Sequence, residues 1–305
     1  MPQDRPTIIL AAYGSAYPGA LATYDRIKAA YEQAFPGSPV RLAFTSQAMR
    51  LRLAEKEGRR IPGPLAALAK LQDHGRRDVI VQSLHIVPGE EFHQLASLVQ
   101  GQKSVQGKFG FEHLEMGLPL LSSLEDCQKV SLLLSPTWEG ITVNGRPQKS
   151  PRDPEKEAVA LVGHGTGHPA DSLYSLMAQV LEKDHRNVFL GTLEGFPGIE
   201  ELILHLKGSG TKKVRLLPFL LVAGGHAVED IAGNGPESWK SILEREGFDV
   251  EAGLRGLGES EEMAAIFIEH TRRALEKIEN KVQAEKRVGI KKSKTEGILT
   301  DRYIG

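Results

Sequence analysis

One run of residues occurs twice in this chain, and that repetition restricts the available folds more than any single motif does. Gly75, Val79, Val87 and Gly89 recur as Gly210, Val214, Val222 and Gly224 at a single constant offset. In the same register Leu68 and Leu71 fall opposite Ile203 and Leu206. A second correspondence lays Ala12-Tyr13-Gly14-Ser15-Ala16-Tyr17-Pro18 over Gly163-His164-Gly165-Thr166-Gly167-His168-Pro169, so that Tyr13 faces His164 and Tyr17 faces His168. Gly and Val are common, but the shared order of strand, turn and helix favours duplication over chance. The chain reads as two halves on one plan.

Within each half, apolar β-branched runs alternate with amphipathic segments of roughly three turns. The expected strands are Thr7–Ala12, Val40–Thr45, Val79–Val87 and Phe111–Met116, then Ala158–Val162, Asn187–Thr192, Val214–Val222 and Phe248–Ala252. Helical patterns cover Ala20–Phe35, Pro64–His74, Glu91–Gln102, Ser122–Leu134, Ala170–Lys183, Gly198–Lys207 and Glu237–Glu246, and a long one follows Glu259. The fold class is therefore α/β, two similar domains each with a parallel, doubly wound sheet flanked by helices. Pro and Gly density over 135–154 marks the linker. The expected organisation is an amino-terminal α/β domain over 1–140, a carboxyl-terminal α/β domain over 155–280 that carries the candidate site, and a basic tail over 281–305 without an assigned role. A chain of 305 residues accommodates two such domains.

A net charge of −1 gives no global pull toward nucleic acid or a membrane surface. The lone Cys127 excludes an internal disulfide framework and a Cys-rich zinc site. No apolar leader precedes the first strand, and no run is long enough to span a bilayer, so a reducing cytoplasm is the expected location. A Walker phosphate loop, a dinucleotide fingerprint and a Gly-x-Ser-x-Gly elbow are all missing, and no organic cofactor is expected.

The residues able to carry chemistry cluster at expected strand ends. His164 lies between glycines after the Ala158–Val162 strand, Glu194 follows Asn187–Thr192, and His226 follows Val214–Val222. Open parallel sheets bind ligands beyond these carboxyl ends. Two imidazoles and a carboxylate are enough to hold a divalent transition ion with coordination positions left open, and either imidazole can take a proton near neutral pH. Three unrelated loop residues remain the alternative. In the amino-terminal half the matching positions hold Tyr13 and Glu91, so one half alone carries the imidazole pair. His85 ends a strand on that opposite wall, as a ligand contact or as a histidine satisfied by a backbone carbonyl. His93 sits at a helix start. A His-Gly pair is also similar to histidine phosphatases, but Gly163 occupies the position of their phosphate-clamping arginine.

Four stretches in this order carry a family resemblance: Gln82-Ser83-Leu84-His85-Ile86, Leu118-Pro119-Leu120-Leu121-Ser122-Ser123, Gly163-His164-Gly165 and Leu221-Val222-Ala223-Gly224-Gly225-His226-Ala227. Over roughly residues 7 to 275 the chain resembles the anaerobic sirohydrochlorin cobaltochelatases of cobalamin biosynthesis, a branch of the class II chelatases. That resemblance implies two α/β domains enclosing a cleft for a tetrapyrrole, and a lyase-type reaction that forms a metal–tetrapyrrole. It maps the metal ligands onto His164, Glu194 and His226, and the proton acceptor onto His164. Tyr13, Ser15 and His85 are the expected substrate contacts; Ser15 follows Tyr13-Gly14 where relatives often read Gly-Thr-Ser. The implied metal substrate is Co2+, with Fe2+ or Ni2+ open, the implied partner is sirohydrochlorin, and a homo-oligomer is compatible. A non-catalytic tetrapyrrole or metal carrier, and a histidine phosphatase, stand as alternatives.

Overall fold

Strand β1 (Thr7–Ala12) is buried along its whole length, as an inner strand covered on both faces must be. In the computed structural model, which describes residues 5–139, 142–143, 146–147 and 157–300, it pairs in parallel with β2 (Val40–Phe44) and β3 (Asp78–Ser83), and β3 pairs with β4 (His113–Gly117). A short antiparallel ribbon of β5 (Thr142–Val143) and β6 (Arg146–Pro147) lies in the stretch read as the linker. The second sheet repeats the first: β7 (Glu157–Gly163) runs between β8 (Val188–Thr192) and β9 (Lys213–Pro218), with β10 (Asp249–Ala252) outside β9. The orders β2-β1-β3-β4 and β8-β7-β9-β10 are the same arrangement, as the repeat requires.

The helices are α1 (Pro18–Ala34), α2 (Gln47–Glu57), α3 (Pro64–Asp73), α4 (Glu90–Lys103), α5 (Leu124–Glu139), α6 (Ser172–Asp184), α7 (Ile199–Ser209), α8 (Trp239–Arg245) and α9 (Glu261–Thr300). Local signals set their starts. Pro opens α1 and α3, where its missing N–H has no helical partner to lose. The Ser46 hydroxyl accepts from Met49 N at 3.3 Å to cap α2. Helix α2 was absent from the sequence expectation because Leu53 is its one buried residue, so it carries no apolar stripe.

Packing divides into three layers of core. Helices α3 and α4 cover the outer face of the first sheet through Leu68, Leu71, Leu95 and Val99. Helices α7 and α8 cover the outer face of the second through Leu202, Leu206, Trp239 and Leu243. Between the sheets lies one continuous apolar cluster to which both halves contribute, among them Ile8, Tyr31, Val159, Tyr174 and Phe267. The halves also exchange helices: α9, which follows the second sheet, packs on β3 and β4 of the first, and α5, which follows β4, packs on α6.

Two strands end sooner than their apolar runs. The runs Val79–Val87 and Val214–Val222 leave the sheet at Ser83 and Pro218. Leu84 N still bonds Ala11 O at 2.8 Å, and Phe219 N bonds Val162 O at 2.7 Å. Beyond them Leu84, Ile86, Phe219 and Leu221 are buried in strand-end loops. Apolar character there reports burial rather than ladder pairing.

Candidate metal-handling site

The loop after β7 places His164, the loop after β8 places Glu194, and the loop after β9 places His226. Their backbones are tied before the side chains begin. Leu193 N bonds Gly163 O at 3.0 Å, and Glu194 N bonds His164 O at 2.8 Å. Gly165 permits this approach twice over: its φ is +81°, and a Cβ there would lie 2.5 Å from Gly195 N. Asp171 then clamps the two loops together, accepting from Thr166 N at 3.0 Å and from Phe196 N at 2.7 Å. The buried Tyr174 hydroxyl takes backbone hydrogen bonds from Gly165 and His164, and its burial pushes the phenol well above its ordinary range.

The structure brings the two imidazoles together, with ring centroids 4.7 Å apart and planes at 88°. Each ring has its Nδ1 against an acceptor. His164 Nδ1 lies 3.1 Å from Gly165 O, and His226 Nδ1 lies 2.7 Å from Asp230 Oδ2. A carbonyl or a carboxylate oxygen only accepts, so in the neutral rings the proton sits on Nδ1 and Nε2 is left as the lone-pair donor. Glu194 is held less tightly: its Oε2 is 3.9 Å from His164 Nδ1 and its side chain is 63% exposed. Among the described residues no three His, Cys, Asp or Glu side chains are closed into a metal cage. The arrangement is an imidazole pair with an exposed carboxylate beside it.

The amino-terminal strand ends face this pair. Ser46 N bonds Tyr13 O at 3.1 Å, just as Glu194 N bonds His164 O, so Tyr13 and Ser46 occupy the places of His164 and Glu194. Glu91, expected opposite His226, accepts from the Thr45 hydroxyl at 2.8 Å. Tyr13 is 48% exposed on this side. Ser15 is instead buried: its Oγ accepts from Tyr17 N at 3.2 Å and lies against Gly224. Its repeat partner Thr166 lies in the same way against Gly89, the repeat partner of Gly224. His93 of α4 and His168 meet across the halves with ring centroids 4.6 Å apart. His85 lies two residues beyond β3, its Nδ1 2.8 Å from Ser83 Oγ and its Nε2 enclosed.

Sequence reasoning passed over Asp171, Asp230 and the Tyr17–Glu229 bond, in which the Tyr17 hydroxyl donates to Glu229 Oε1 across the halves. Asp230 carried a readable signal, since it stands four residues after His226 on one helical face. The Asp171–Phe196 and Tyr17–Glu229 contacts join distant loops and leave no spacing to read.

The sequence model of the cobalt chelatase family (CbiK) matches residues 6–276. The chain belongs to that family. Among curated relatives, the sirohydrochlorin cobaltochelatase CbiKC of Nitratidesulfovibrio vulgaris is 36% identical over 281 residues, covering 92% of this chain and 94% of the relative. The sirohydrochlorin cobaltochelatase of Salmonella typhimurium is 33% identical over 233 residues, covering 76% of this chain and 82% of the relative. The chelatase fold is shared with the solved SirB from Bacillus subtilis with Fe3+, at TM-score 0.55 and 14% identity over 88% of this chain and 95% of that one. A second likeness is SirB in complex with cobalt, from Bacillus subtilis subspecies spizizenii, at TM-score 0.55 and 12% identity over 90% of this chain and 97% of that one. No helix among the described residues of the chelatase is long and apolar enough to cross a membrane.

Proposed function

We propose that this chelatase inserts Co2+ into sirohydrochlorin, and that His164 and His226, assisted by Glu194, deliver the ion. The observation that carries this reading is the imidazole pair, 4.7 Å between centroids, at the strand ends where two sheets face each other. Two neutral nitrogens with a carboxylate suit a divalent first-row ion, and an incomplete set suits an ion that must be passed on. Exposed apolar side chains follow the strands on this side, Tyr13, Leu118, Phe196 and Leu254 among them. They give a flat macrocycle an apolar surface to lie against.

A ring nitrogen cannot accept the metal until its pyrrole proton leaves, and the ion cannot move until it sheds a protein ligand. His164 meets both needs at one atom. Its Nε2 releases the ion and takes one of the two pyrrole protons, while Nδ1 stays on Gly165 O. The second proton leaves to solvent water at this exposed site. The approaching cation lowers the proton affinity of the ring nitrogens, and the protein contributes by holding it in place. Glu194 has the reach to follow the ion, because its exposed carboxylate makes only a long 3.9 Å contact with His164 Nδ1. Tyr13 and His85 are the substrate contacts of the facing wall in this reading; Ser15 supports the loop from beneath, and Fe2+ is the competing metal substrate.

Mixing the purified protein with sirohydrochlorin and Co2+ and following the absorbance change against the uncatalysed rate tests the activity. Replacing His164 by Ala is expected to reduce insertion to the uncatalysed rate with an unchanged circular dichroism spectrum. An H164A protein with the wild-type rate would remove His164 from the mechanism. Repeating the assay with Fe2+ and Ni2+ ranks the metals.

A further inference from the structure

We infer that Asp230 is a positioning residue of the metal site: it fixes the ring of His226, makes it the anchoring ligand of the pair, and so sets the affinity for the incoming divalent cation. The inference rests on the reading of His226 as a ligand. His226 directly precedes a π-helical turn, Ala227–Ile231, which brings Asp230 back over the ring so that Oδ2 lies 2.7 Å from Nδ1. That contact is on the opposite side of the imidazole from Nε2, so the carboxylate orients the ring without ligating an ion bound there. A carboxylate behind a histidine holds its tautomer, fixes its plane and strengthens the nitrogen that faces the metal. His164 has a neutral carbonyl in the same place. The two rings therefore differ: the carboxylate-backed His226 keeps the ion, and the carbonyl-backed His164 lets it go first.

The turn itself is pinned from the other half. Tyr17 donates to Glu229, and its ring lies 3.5 Å from where a Cβ on Gly225 would stand. Ser15 Oγ lies 3.2 Å from the same point on Gly224. Glu229 is thereby engaged and is not available to take over behind His226 when Asp230 is changed.

The test is Co2+ binding to the metal-free, tetrapyrrole-free protein, read by competition with a chromophoric chelator, in wild type, Asp230→Asn, Asp230→Glu and His226→Ala. The Asn variant keeps the shape and removes the charge; it is expected to weaken Co2+ binding about 10–100-fold. Its KM for sirohydrochlorin and its thermal midpoint are expected to stay at wild-type values, which a merely structural role would not allow. Asp230→Glu is expected to recover part of the affinity. Wild-type affinity in D230N together with weakened binding in H226A would overturn the role of Asp230 and leave the ligand assignment standing. Wild-type affinity in H226A would overturn the ligand assignment itself.

Discussion

His85 keeps its ring neutral because burial removes the water that would solvate its charge. Burial lowers its imidazole to about 4 from an ordinary 6.5. Ser83 is fully buried and already accepts from His85 N at 3.3 Å, so its hydroxyl proton has His85 Nδ1, 2.8 Å away, as its acceptor. The ring proton then sits on the enclosed Nε2. Linkage fixes the sign: between pH 6.5 and about 4 the unfolded chain binds a proton that the folded chain does not, so stability falls as pH drops through that window. Denaturation midpoints over this range are expected to show a shallower acid-side slope in His85→Gln than in wild type. An NMR titration of the His85 ring with a midpoint near 6.5 would contradict this. The residue types of the candidate site were legible in the sequence as histidines and a glutamate after expected strands. Their partners were not, since Asp171 reaches Phe196 N and Tyr17 reaches Glu229 only through the folded loops.

Helix α9 decides how the strand ends of the first sheet are held. His270 on its buried face reaches Leu118 O at 3.1 Å and Asp126 Oδ1 at 3.2 Å, with side chains 0% and 3% exposed. Burial alone would push the Asp126 carboxyl up, but the bonds from His270, the Ser123 hydroxyl and Ser122 N hold it below the usual carboxylate range. Next to it, Thr271 donates to Gln82 Oε1 at 2.8 Å, and Gln82 Nε2 donates to Leu118 O at 2.7 Å. A helix that follows the second sheet thus fastens the Leu118–Ser123 loop of the first. Removing His270 strands a buried carboxylate, and His270→Ala is expected to cost about 3–5 kcal/mol in urea unfolding. A loss below about 1 kcal/mol would show that the pair is not a structural tie. At this scale the sequence was legible where burial and period coincide, as in β1, β7, α1 and α6. It was not legible for α2, whose exposed faces leave no stripe, nor for the crossing of α9, because an amphipathic pattern does not say which sheet it covers.

Across the whole molecule the repeat is close in backbone and divergent in chemistry. Both halves have the same sheet order, a left-handed glycine after the first strand (Gly14 and Gly165), and a crossed contact of a small hydroxyl on a glycine. Yet Tyr13, Ser46 and Glu91 stand where His164, Glu194 and His226 stand. Duplication was readable from spaced Gly and Val residues because they mark turns and buried strands, which the fold fixes. The shared middle layer of core was not, since no local pattern records a contact between halves. In the proposed reading one half supplies donors for an ion and the other a facing wall, which is what delivery to a flat ring requires. The most direct measurement is an anomalous difference map at the cobalt edge from crystals of the metal-free protein soaked in Co2+. The account predicts one strong peak about 2.0–2.2 Å from the Nε2 atoms of both His164 and His226, with Glu194 turned toward it. A cobalt peak bound elsewhere, with those two rings unligated, would contradict it.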